Sequence, residues 1–301
     1  MSLPTLAVLM PGDMGHAVGR VLREHGHRVL ICLKGRSERT NGLAQAAGLE
    51  DVGDLNALVV DADMILSILP PDRALAQARD VASAMAETGA APTYVDCNAI
   101  SPTRSIEVGE VIEGAGASFI DAGIIGLAPG KGPSTRFYVS GTDTAPMEAL
   151  NGKGIEVMPL QGGIGAASGL KMCYAGLTKG KWTLQTAVLL TAEQLGLSEA
   201  LTQEFAFSQQ VELRSMRERV SRLPADSGRW IGEMEEIAAT FADAGVPSGF
   251  HEGAAEIFRI LSKTPFASET RETIDASRTM EESIKVFAEQ LPKTSRGSNT
   301  T

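Results

Sequence analysis

A glycine-rich turn follows the first apolar run of the chain and precedes a helical pattern. Residues 10–15 read MPGDMG, and the small residues Ala17 and Gly19 come soon after. Backbone N–H groups at such a turn and at a helix N-terminus can hold a pyrophosphate, and glycine lets the phosphates approach closely. Met10 replaces the usual first glycine of the GxGxxG pattern, so a tight turn without a ligand is the alternative. The pattern predicts a dinucleotide site formed by Pro11, Gly12, Asp13, Met14 and Gly15.

A basic loop stands where the second strand is expected to end. A cofactor without a 2′-phosphate is usually held there by an acidic residue, about 20 residues beyond the glycines. This chain has Leu33, Lys34, Arg36 and Ser37 instead. Cationic and hydroxyl side chains bind a phosphate that a carboxylate would repel. The loop therefore predicts NADP(H) in preference to NAD(H), and a solvated basic loop is the alternative.

Apolar runs alternate with helical patterns through the first half of the chain. This alternation is typical of βαβ units in a Rossmann-type α/β domain with a mainly parallel sheet. A serine followed by proline, Ser101-Pro102, predicts the start of one of the helices. The expected strands are 6–10, 28–33, 64–69, 93–96, 119–124 and 136–140, and the expected helices include 14–24 and 72–87.

The pattern becomes entirely helical after residue 160. One long helix is expected over 163–195, apolar on most sides, which is typical of a buried helix. We expect domains at 1–160 and 161–301, joined by this long interdomain helix. Further helices are expected at 198–222, 229–244, 251–261 and 270–289, and a frayed polar tail at 293–301.

Composition excludes several classes of protein. The 301 residues carry a formal net charge of −10, whereas a nucleic-acid binder needs a concentrated positive face. No apolar run reaches the roughly 18 residues that span a bilayer, so we expect no membrane partner. The three cysteines lie far apart without metal-ligand spacing, which favours a reducing cytoplasm and no metal site.

Five segments, in order along the chain, resemble the β-hydroxyacid dehydrogenase superfamily, which includes 3-hydroxyisobutyrate dehydrogenase and 6-phosphogluconate dehydrogenase. They cover the glycine turn, the ends of three strands, and the start of the long helix. The helical second half resembles an uncharacterised branch of the superfamily. The five segments are 12–15 (GDMG), 67–70 (SILP), 96–102 (DCNAISP), 121–126 (DAGIIG) and 165–171 (GAASGLK).

The resemblance implies roles for residues beyond the glycine turn. Leu69 and Pro70 would lie along the nicotinamide ribose, and Asn98 would contact the nicotinamide or the substrate. It also implies a homodimer formed through the helical domain, and a small-molecule substrate. The segment that resembles the substrate-binding strand includes Gly123, Ile124 and Ile125.

Lys171 is the predicted general acid and base, in the segment that resembles the catalytic helix. A charged amine is costly to bury, so a lysine in an apolar helix exchanges its proton near neutral pH. A lysine that reaches out to the surface is the alternative.

Some positions depart from the superfamily pattern. Ala175 and Ile125 stand where the superfamily has a polar Asn and Ser, so we expect a larger or less polar substrate. Tyr174 is the expected replacement hydrogen-bond donor. Lys131, in a loop rich in glycine and proline, could reach an acidic substrate group, or it could be solvated.

These inferences predict an NADP(H)-dependent oxidoreductase that transfers a hydride between the nicotinamide and a hydroxy acid, or a related alcohol or carbonyl compound. Two alternatives stay open. One is an enzyme like the imine reductases, with a reshaped proton donor. The other is a protein that binds NADPH without turnover.

Overall fold

The structure, a computed structural model, describes residues 3–132, 134–270 and 272–292. The expected polar tail at 293–301 lies outside the described residues. Within them, the strands form one eight-stranded sheet in the order β3-β2-β1-β4-β5-β6-β7-β8. The strands are β1 (Leu6–Val8), β2 (Val29–Ile31), β3 (Glu50–Asp51), β4 (Met64–Ser67), β5 (Thr93–Asp96), β6 (Phe119–Gly126), β7 (Thr135–Ser140) and β8 (Glu156–Pro159).

The pairing confirms the predicted Rossmann-type sheet. Strands β1 to β6 pair in parallel, β7 runs antiparallel to β6, and β8 pairs in parallel with β7. The strand order reverses direction between β1 and β4. In such sheets a crevice opens at this reversal, outside the carboxyl ends of the strands, and ligands bind there.

Both faces of the sheet are buried, which explains why its strands read as continuous apolar runs. Successive side chains of a strand point to opposite faces. Leu6 and Val8 accordingly join one apolar cluster, which also contains Leu66. Ala7 and Ile65 join the other cluster.

Six helices lie between or beside these strands. Ser101 accepts a hydrogen bond from the Arg104 backbone N–H at 3.3 Å, and Pro102 occupies the first helical position. The predicted helix start at Ser101-Pro102 is therefore confirmed. The six helices are α1 (Gly15–Glu24), α2 (Glu38–Ala47), α3 (Leu55–Asp61), α4 (Ala74–Thr88), α5 (Pro102–Gly114) and α6 (Ala145–Glu148).

After β8 the described chain contains helices and no further strand, as predicted. The long helix begins at Ala166 because Gly165 has a φ of +97°, which a right-handed helix cannot include. No helix among the described residues is long and apolar enough to cross a membrane. The helices are α7 (Ala166–Gln194), α8 (Ser198–Ser208), α9 (Gln210–Arg219), α10 (Pro224–Asp243), α11 (Gly249–Leu261) and α12 (Met280–Ala288).

The fold divides into two compact units inside α7. The first unit ends at Tyr174, and the second begins at Ala175. The expected domains, 1–160 and 161–301, place the division earlier, before α7. The boundary between a cofactor-binding domain and a helical substrate domain at residues 160 and 161 stays a prediction.

Several elements differ from the sequence-based expectations. The expected helix at 270–289 is helical only in α12, and the expected helix at 198–222 is interrupted at Gln209, whose φ of −138° is not helical. The short strands β3 and β8 and the helices α2, α3 and α6 were not expected. Their brevity and mixed polarity gave no periodic signal.

Candidate active site

The glycine turn forms an open cradle between β1 and α1. A methyl group built on Gly12 would meet no heavy atom within 4 Å, so the turn is open on that side. One built on Gly15 would lie 2.0 Å from the Met10 carbonyl oxygen, so only glycine allows this close approach. Among the described residues, none accepts a hydrogen bond from the backbone N–H of Gly12, Met14 or Gly15. These donors, at a helix N-terminus, fit an anion such as a pyrophosphate.

An ion pair fixes the outer side of this turn. The Arg39 guanidinium, on α2, donates to the Asp13 carboxylate at 2.7 Å. The negative charge of Asp13 is thereby compensated next to the cradle. Arg39 thus joins α2 to the glycine turn, a role the sequence did not reveal.

The basic loop after β2 reaches the same turn through Arg36. Its Nη2 donates to the Leu9 carbonyl oxygen at 3.2 Å, directly before the glycine turn. Its Nε is buried and has no hydrogen-bond partner among the described residues. Because a buried cationic donor without an acceptor is costly, an anion is the expected missing partner.

The other residues of this loop have different surroundings. Lys34 is exposed and, with Leu33, lines an open depression of about 640 Å³ beside α2 and β3. The Ser37 hydroxyl caps α2, because it accepts a hydrogen bond from the Thr40 backbone N–H at 3.3 Å. The structure therefore gives Ser37 a structural partner in addition to any phosphate.

Asn98 ties the carboxyl end of β5 to that of β4. Its Nδ2 donates to the Ser67 hydroxyl at 3.0 Å and to the Asp96 carboxylate at 2.9 Å. Its Oδ1 accepts a hydrogen bond from the Leu69 backbone N–H at 2.5 Å. Both amide hydrogens are thus engaged inside the protein, and the side chain is buried. This arrangement favours a role in holding the Leu69-Pro70 segment over a direct hydrogen bond from Asn98 to a ligand.

The carboxyl group in this network has an unusual protonation equilibrium. Burial raises the pKa of Asp96 from its ordinary value of 3.8 to about 7, and the nearby charge of Asp121 adds to the rise. The two hydrogen bonds from Asn98 act in the opposite direction. A group that titrates near neutral pH therefore lies beneath the predicted nicotinamide site.

Lys171 lies on the second turn of α7, against the carboxyl half of β6. A methyl group built on Gly123 would lie 2.8 Å from the Lys171 Cβ and 2.7 Å from the Ala167 carbonyl oxygen. Glycine in the strand therefore allows the helix to approach. The structure brings together Lys171 and the predicted substrate strand, of which Ile124 is buried and Ile125 half-buried.

Two predicted substrate residues remain at the surface. Tyr174 stands three residues after Lys171, on the neighbouring face of α7, and about half of it is exposed. Lys131 is exposed in the loop between β6 and β7. In the same loop, Gly130 lies against Arg20 of α1.

Within the described residues, no group of three or more His, Cys, Asp or Glu side chains could hold a metal ion.

The sequence pattern assigned no role to Asp121, which lies in one of the segments that resemble the superfamily. The structure shows it as a fully buried carboxylate with five hydrogen bonds. An aspartate within an apolar strand, two residues before a glycine, was the signal available.

Comparisons with known protein families agree with this geometry. Residues 5–151 match the model of the NAD binding domain of 6-phosphogluconate dehydrogenase. Residues 192–261 match the model of a domain of unknown function, DUF1932. An uncharacterised 28.5 kDa protein of Methanothermus fervidus is 30% identical over 173 residues, which is 58% of this chain and 65% of that protein. The match thus spans just under two thirds of this relative's length.

Solved structures share the fold. The conserved protein MTH1747, of unknown function and described as similar to 3-hydroxyacid dehydrogenases, is 26% identical, with a TM-score of 0.63 over 85% of this chain and 96% of its own. Mycobacterium tuberculosis 3-hydroxyisobutyrate dehydrogenase, solved with L-serine, is 20% identical, with a TM-score of 0.64 over 94% and 98%. An imine reductase variant of Myxococcus stipitatus, solved with NAD+, is 17% identical, with a TM-score of 0.51 over 90% and 98%.

The fold and the glycine cradle define a nicotinamide-binding protein of the dehydrogenase and reductase class. Within that class, residues 5–151 match the NAD binding domain of 6-phosphogluconate dehydrogenase, and the chain as a whole is similar to proteins of the β-hydroxyacid dehydrogenase superfamily.

Proposed function

We propose that this chain is an NADP(H)-dependent oxidoreductase that interconverts a hydroxy acid, or a related alcohol, and the corresponding carbonyl compound. The open cradle at the N-terminus of α1 is the observation that carries this proposal. Its residues fit a dinucleotide, because the turn carries backbone donors without acceptors, is open beside Gly12, and needs glycine at position 15 to pass the Met10 carbonyl oxygen. The bound nicotinamide would give or take the hydride.

The preference for NADP(H) over NAD(H) rests on Arg36 and Lys34. The unpartnered Nε of Arg36 supports an anion beside the β2 end, and Lys34 adds a second positive charge at the rim. A 2′-phosphate would accept charge-assisted hydrogen bonds from both side chains.

The other cofactor residues are assigned by the part of the cofactor that they would contact. We assign Pro11, Gly12, Asp13, Met14 and Gly15 to the pyrophosphate, Leu33 and Ser37 to the ribose rim, and Leu69, Pro70 and Asn98 to the nicotinamide side.

Lys171 is the proposed general acid and base. It stands at the carboxyl half of β6, beside the strand assigned to the substrate. In alcohol oxidation its amine takes the hydroxyl proton as the hydride leaves, and in reduction it returns that proton. Such proton transfer contributes about 10²- to 10⁴-fold to a rate.

The substrate proposal follows from the wall around Lys171. Gly123 and Ile125 share the face of β6 that meets Lys171 and offer an apolar surface there, Ile124 packs beneath them in the core, and the Tyr174 hydroxyl would supply a hydrogen bond from the neighbouring helical position. Lys131 would meet an acidic group of the substrate. A small molecule larger or less polar than 3-hydroxyisobutyrate fits this combination.

The test is a screen of hydroxy acids with NADP+ and of keto acids with NADPH, made with the wild type, Lys171→Met and Lys181→Met. Lys181 is a matched control, because it is exposed on the same helix and pairs with Glu212 at 3.0 Å. We expect Lys171→Met to reduce kcat at least about 100-fold with unchanged NADPH affinity. Full turnover by Lys171→Met would remove this residue from the mechanism.

An enzyme like the imine reductases is the second candidate, and the exposed tyrosine near Lys171 favours it. In that case cyclic imines would be reduced, Tyr174→Phe would lose activity, and Lys171→Met would keep it. For the hydroxy-acid enzyme, Tyr174→Phe is expected to raise KM with a smaller change in kcat.

A protein that binds NADPH without turnover is the third candidate. It is motivated by Ala175 and Ile125, which replace polar residues of the superfamily pattern. Tight NADPH binding together with a negative screen of all three substrate classes would favour it.

We further propose that the protein works in the cytoplasm as a homodimer assembled through its helical part. The compartment is proposed from the sequence, in which Cys32, Cys97 and Cys173 lie far apart without a disulfide framework. The helices of the second unit leave large apolar side chains exposed, as dimer interfaces do. These side chains are Leu177, Leu184, Phe207, Val211 and Phe250.

A further inference from the structure

The buried carboxylate of Asp121 lies on β6 and has no solvent exposure. Its Oδ1 accepts hydrogen bonds from the hydroxyls of Ser105 at 3.0 Å and Ser168 at 2.6 Å. Its Oδ2 accepts from the Ser140 hydroxyl at 3.1 Å and from the backbone N–H groups of Gly165 and Ser168 at 2.9 and 3.0 Å. The structure records no cation paired with it in the described part of the chain.

The same carboxylate organises the start of α7. The Ala167 backbone N–H donates to the Ser140 hydroxyl at 3.0 Å, and that hydroxyl in turn donates to Asp121. The Ala166 N–H bonds to the Gly163 carbonyl oxygen at 3.2 Å. The N–H groups of residues 165–168 are therefore all satisfied inside the protein, three of them by Asp121 directly or through Ser140. The positive end of the helix dipole compensates the buried charge.

The strand that carries Asp121, β6, also sets the position of Lys171, because α7 packs against it. Gly123 is two residues further along β6, so it lies on the same face of the strand. This face meets Ala167 and Lys171, one turn beyond the capped end of α7. Behind the helix start, Pro102 of α5 packs against Gly165 and Gly169. The cap and the glycine contact together tie the first two turns of α7 to β6.

Stability alone does not require this arrangement, because a buried charge costs desolvation that well-packed apolar side chains avoid. We propose that Asp121 is a positioning residue, whose carboxylate holds the first turn of α7 on β6 so that Lys171 stands at the reaction site. The inference rests on the proposed function of Lys171. Asp121 touches no reacting atom in it, and its effect passes through the helix.

The first measurement follows the position of Lys171 without any substrate. Acetic anhydride would be the probe, and mass spectrometry would give the acetylation rate of Lys171 relative to Lys181 on the same helix. Asp121→Ala is expected to raise this ratio at least threefold, because a loosened helix start exposes more of the half-buried Lys171 side chain. Asp121→Asn, which keeps an acceptor oxygen, is expected to restore most of the protection.

Two further variants keep the test decisive. Ser140→Ala removes the bridge to the Ala167 N–H but leaves the carboxylate, and it is expected to raise the ratio even if Asp121→Ala does not fold. Asp54→Ala is the matched control. Asp54 caps α3 from an exposed position through the Ala57 N–H at 2.9 Å, so its loss should leave the ratio unchanged.

Turnover then separates this inference from the proposed function. Once a substrate is identified, Asp121→Ala and Ser140→Ala are expected to lower kcat at least tenfold with an unchanged KM for NADPH. An unchanged acetylation ratio in both the Asp121 and Ser140 variants would overturn the positioning role, as would a raised ratio with unchanged kcat. Full turnover by Lys171→Met would overturn the function of Lys171, while the acetylation ratio still reports whether Asp121 anchors the helix.

Discussion

At the carboxyl ends of β4 and β5, the Asp96 carboxyl group is linked through Asn98 to the Leu69 segment, which is expected to lie beside the nicotinamide. The Asp96 carboxylate accepts two hydrogen bonds from Asn98, and Asn98 in turn holds Leu69. The charged form of Asp96 therefore fixes the orientation of the Asn98 amide. Sequence reasoning placed Asn98 at this site, but it could not show that both amide hydrogens are used internally.

Asp96 makes a specific contribution to the pH dependence of stability. Its folded pKa of about 7 exceeds the ordinary value of 3.8. Its contribution is therefore fully present below about pH 4, and it is lost as the pH rises towards 7. From this group the free energy of unfolding falls by up to about 1.4 kcal/mol per pH unit across that window.

We predict that Asp96→Asn removes this part of the pH dependence of the unfolding free energy. Urea unfolding at several pH values between 4.5 and 7.5 measures it, with Asp80→Asn, an exposed carboxylate of α4, as the control. Parallel pH profiles for the wild type and Asp96→Asn would show that Asp96 stays charged throughout the range.

The place of Gly12 and Gly15 in a turn could be predicted from sequence, whereas the partners of Asp13 and Asp121 could not. Gly12 and Gly15 follow from the position of the turn between a strand and a helix. The ion pair of Arg39 with Asp13 and the five bonds of Asp121 join residues far apart along the chain. Such pairings depend on the packing of the whole unit, which one sequence without its fold does not specify.

Among the elements, the approach of α7 to β6 decides the geometry of the candidate site. Gly123 is the point of contact, since any Cβ there would press on the backbone of Ala167. Gly163, just before the same helix, has open space around it and no positive φ. The two glycines therefore make a matched pair for substitution.

Gly123→Ala is expected to destabilise the fold by about 1–3 kcal/mol through overpacking. It should also lower kcat, because α7 must shift away from the strand. Gly163→Ala should change neither quantity. Chemical denaturation measures the first effect and steady-state kinetics the second. If Gly123→Ala left both the unfolding free energy and kcat unchanged, the contact between α7 and β6 would be looser than this account requires.

The larger elements were predictable because their patterns are long or punctuated. The β1, β2 and β4 runs are apolar on both faces, and Ser101-Pro102 marks a helix start. The two-residue strand β3 contains only Glu50 and Asp51, so it depends on its neighbour β2 for its conformation. The break between α8 and α9 likewise has no glycine or proline to signal it.

At the scale of the whole molecule, the exposed apolar side chains of the second unit suggest its assembly. Leu177, Phe207 and Val211 are 75%, 85% and 76% exposed in the single chain. A monomer that left such side chains in water would tend to associate. The net charge of −10 opposes non-specific clustering and favours a defined interface.

The prediction is a dimer of twice the 31.7 kDa chain mass in light scattering after size exclusion. Leu177→Glu is expected to shift the protein towards the monomer, because it would bury a charge in the interface. Leu3→Glu is the control, at an exposed apolar residue of the first unit. A wild type that stays monomeric at 50 μM or so would contradict the proposed assembly.

We propose that the cradle and the basic loop bind NADP(H), and a fluorescence titration with NADPH and NADH tests this most directly. We expect NADPH to bind the wild type at least about tenfold more tightly than NADH, since charge-assisted hydrogen bonds contribute about 1.5–3 kcal/mol. Arg36→Ala should remove most of that preference, and Arg79→Ala, at an exposed site on α4, should retain it. Equal or tighter binding of NADH would contradict the assignment of Arg36 and Lys34, and the absence of saturable binding by either cofactor would contradict the account as a whole.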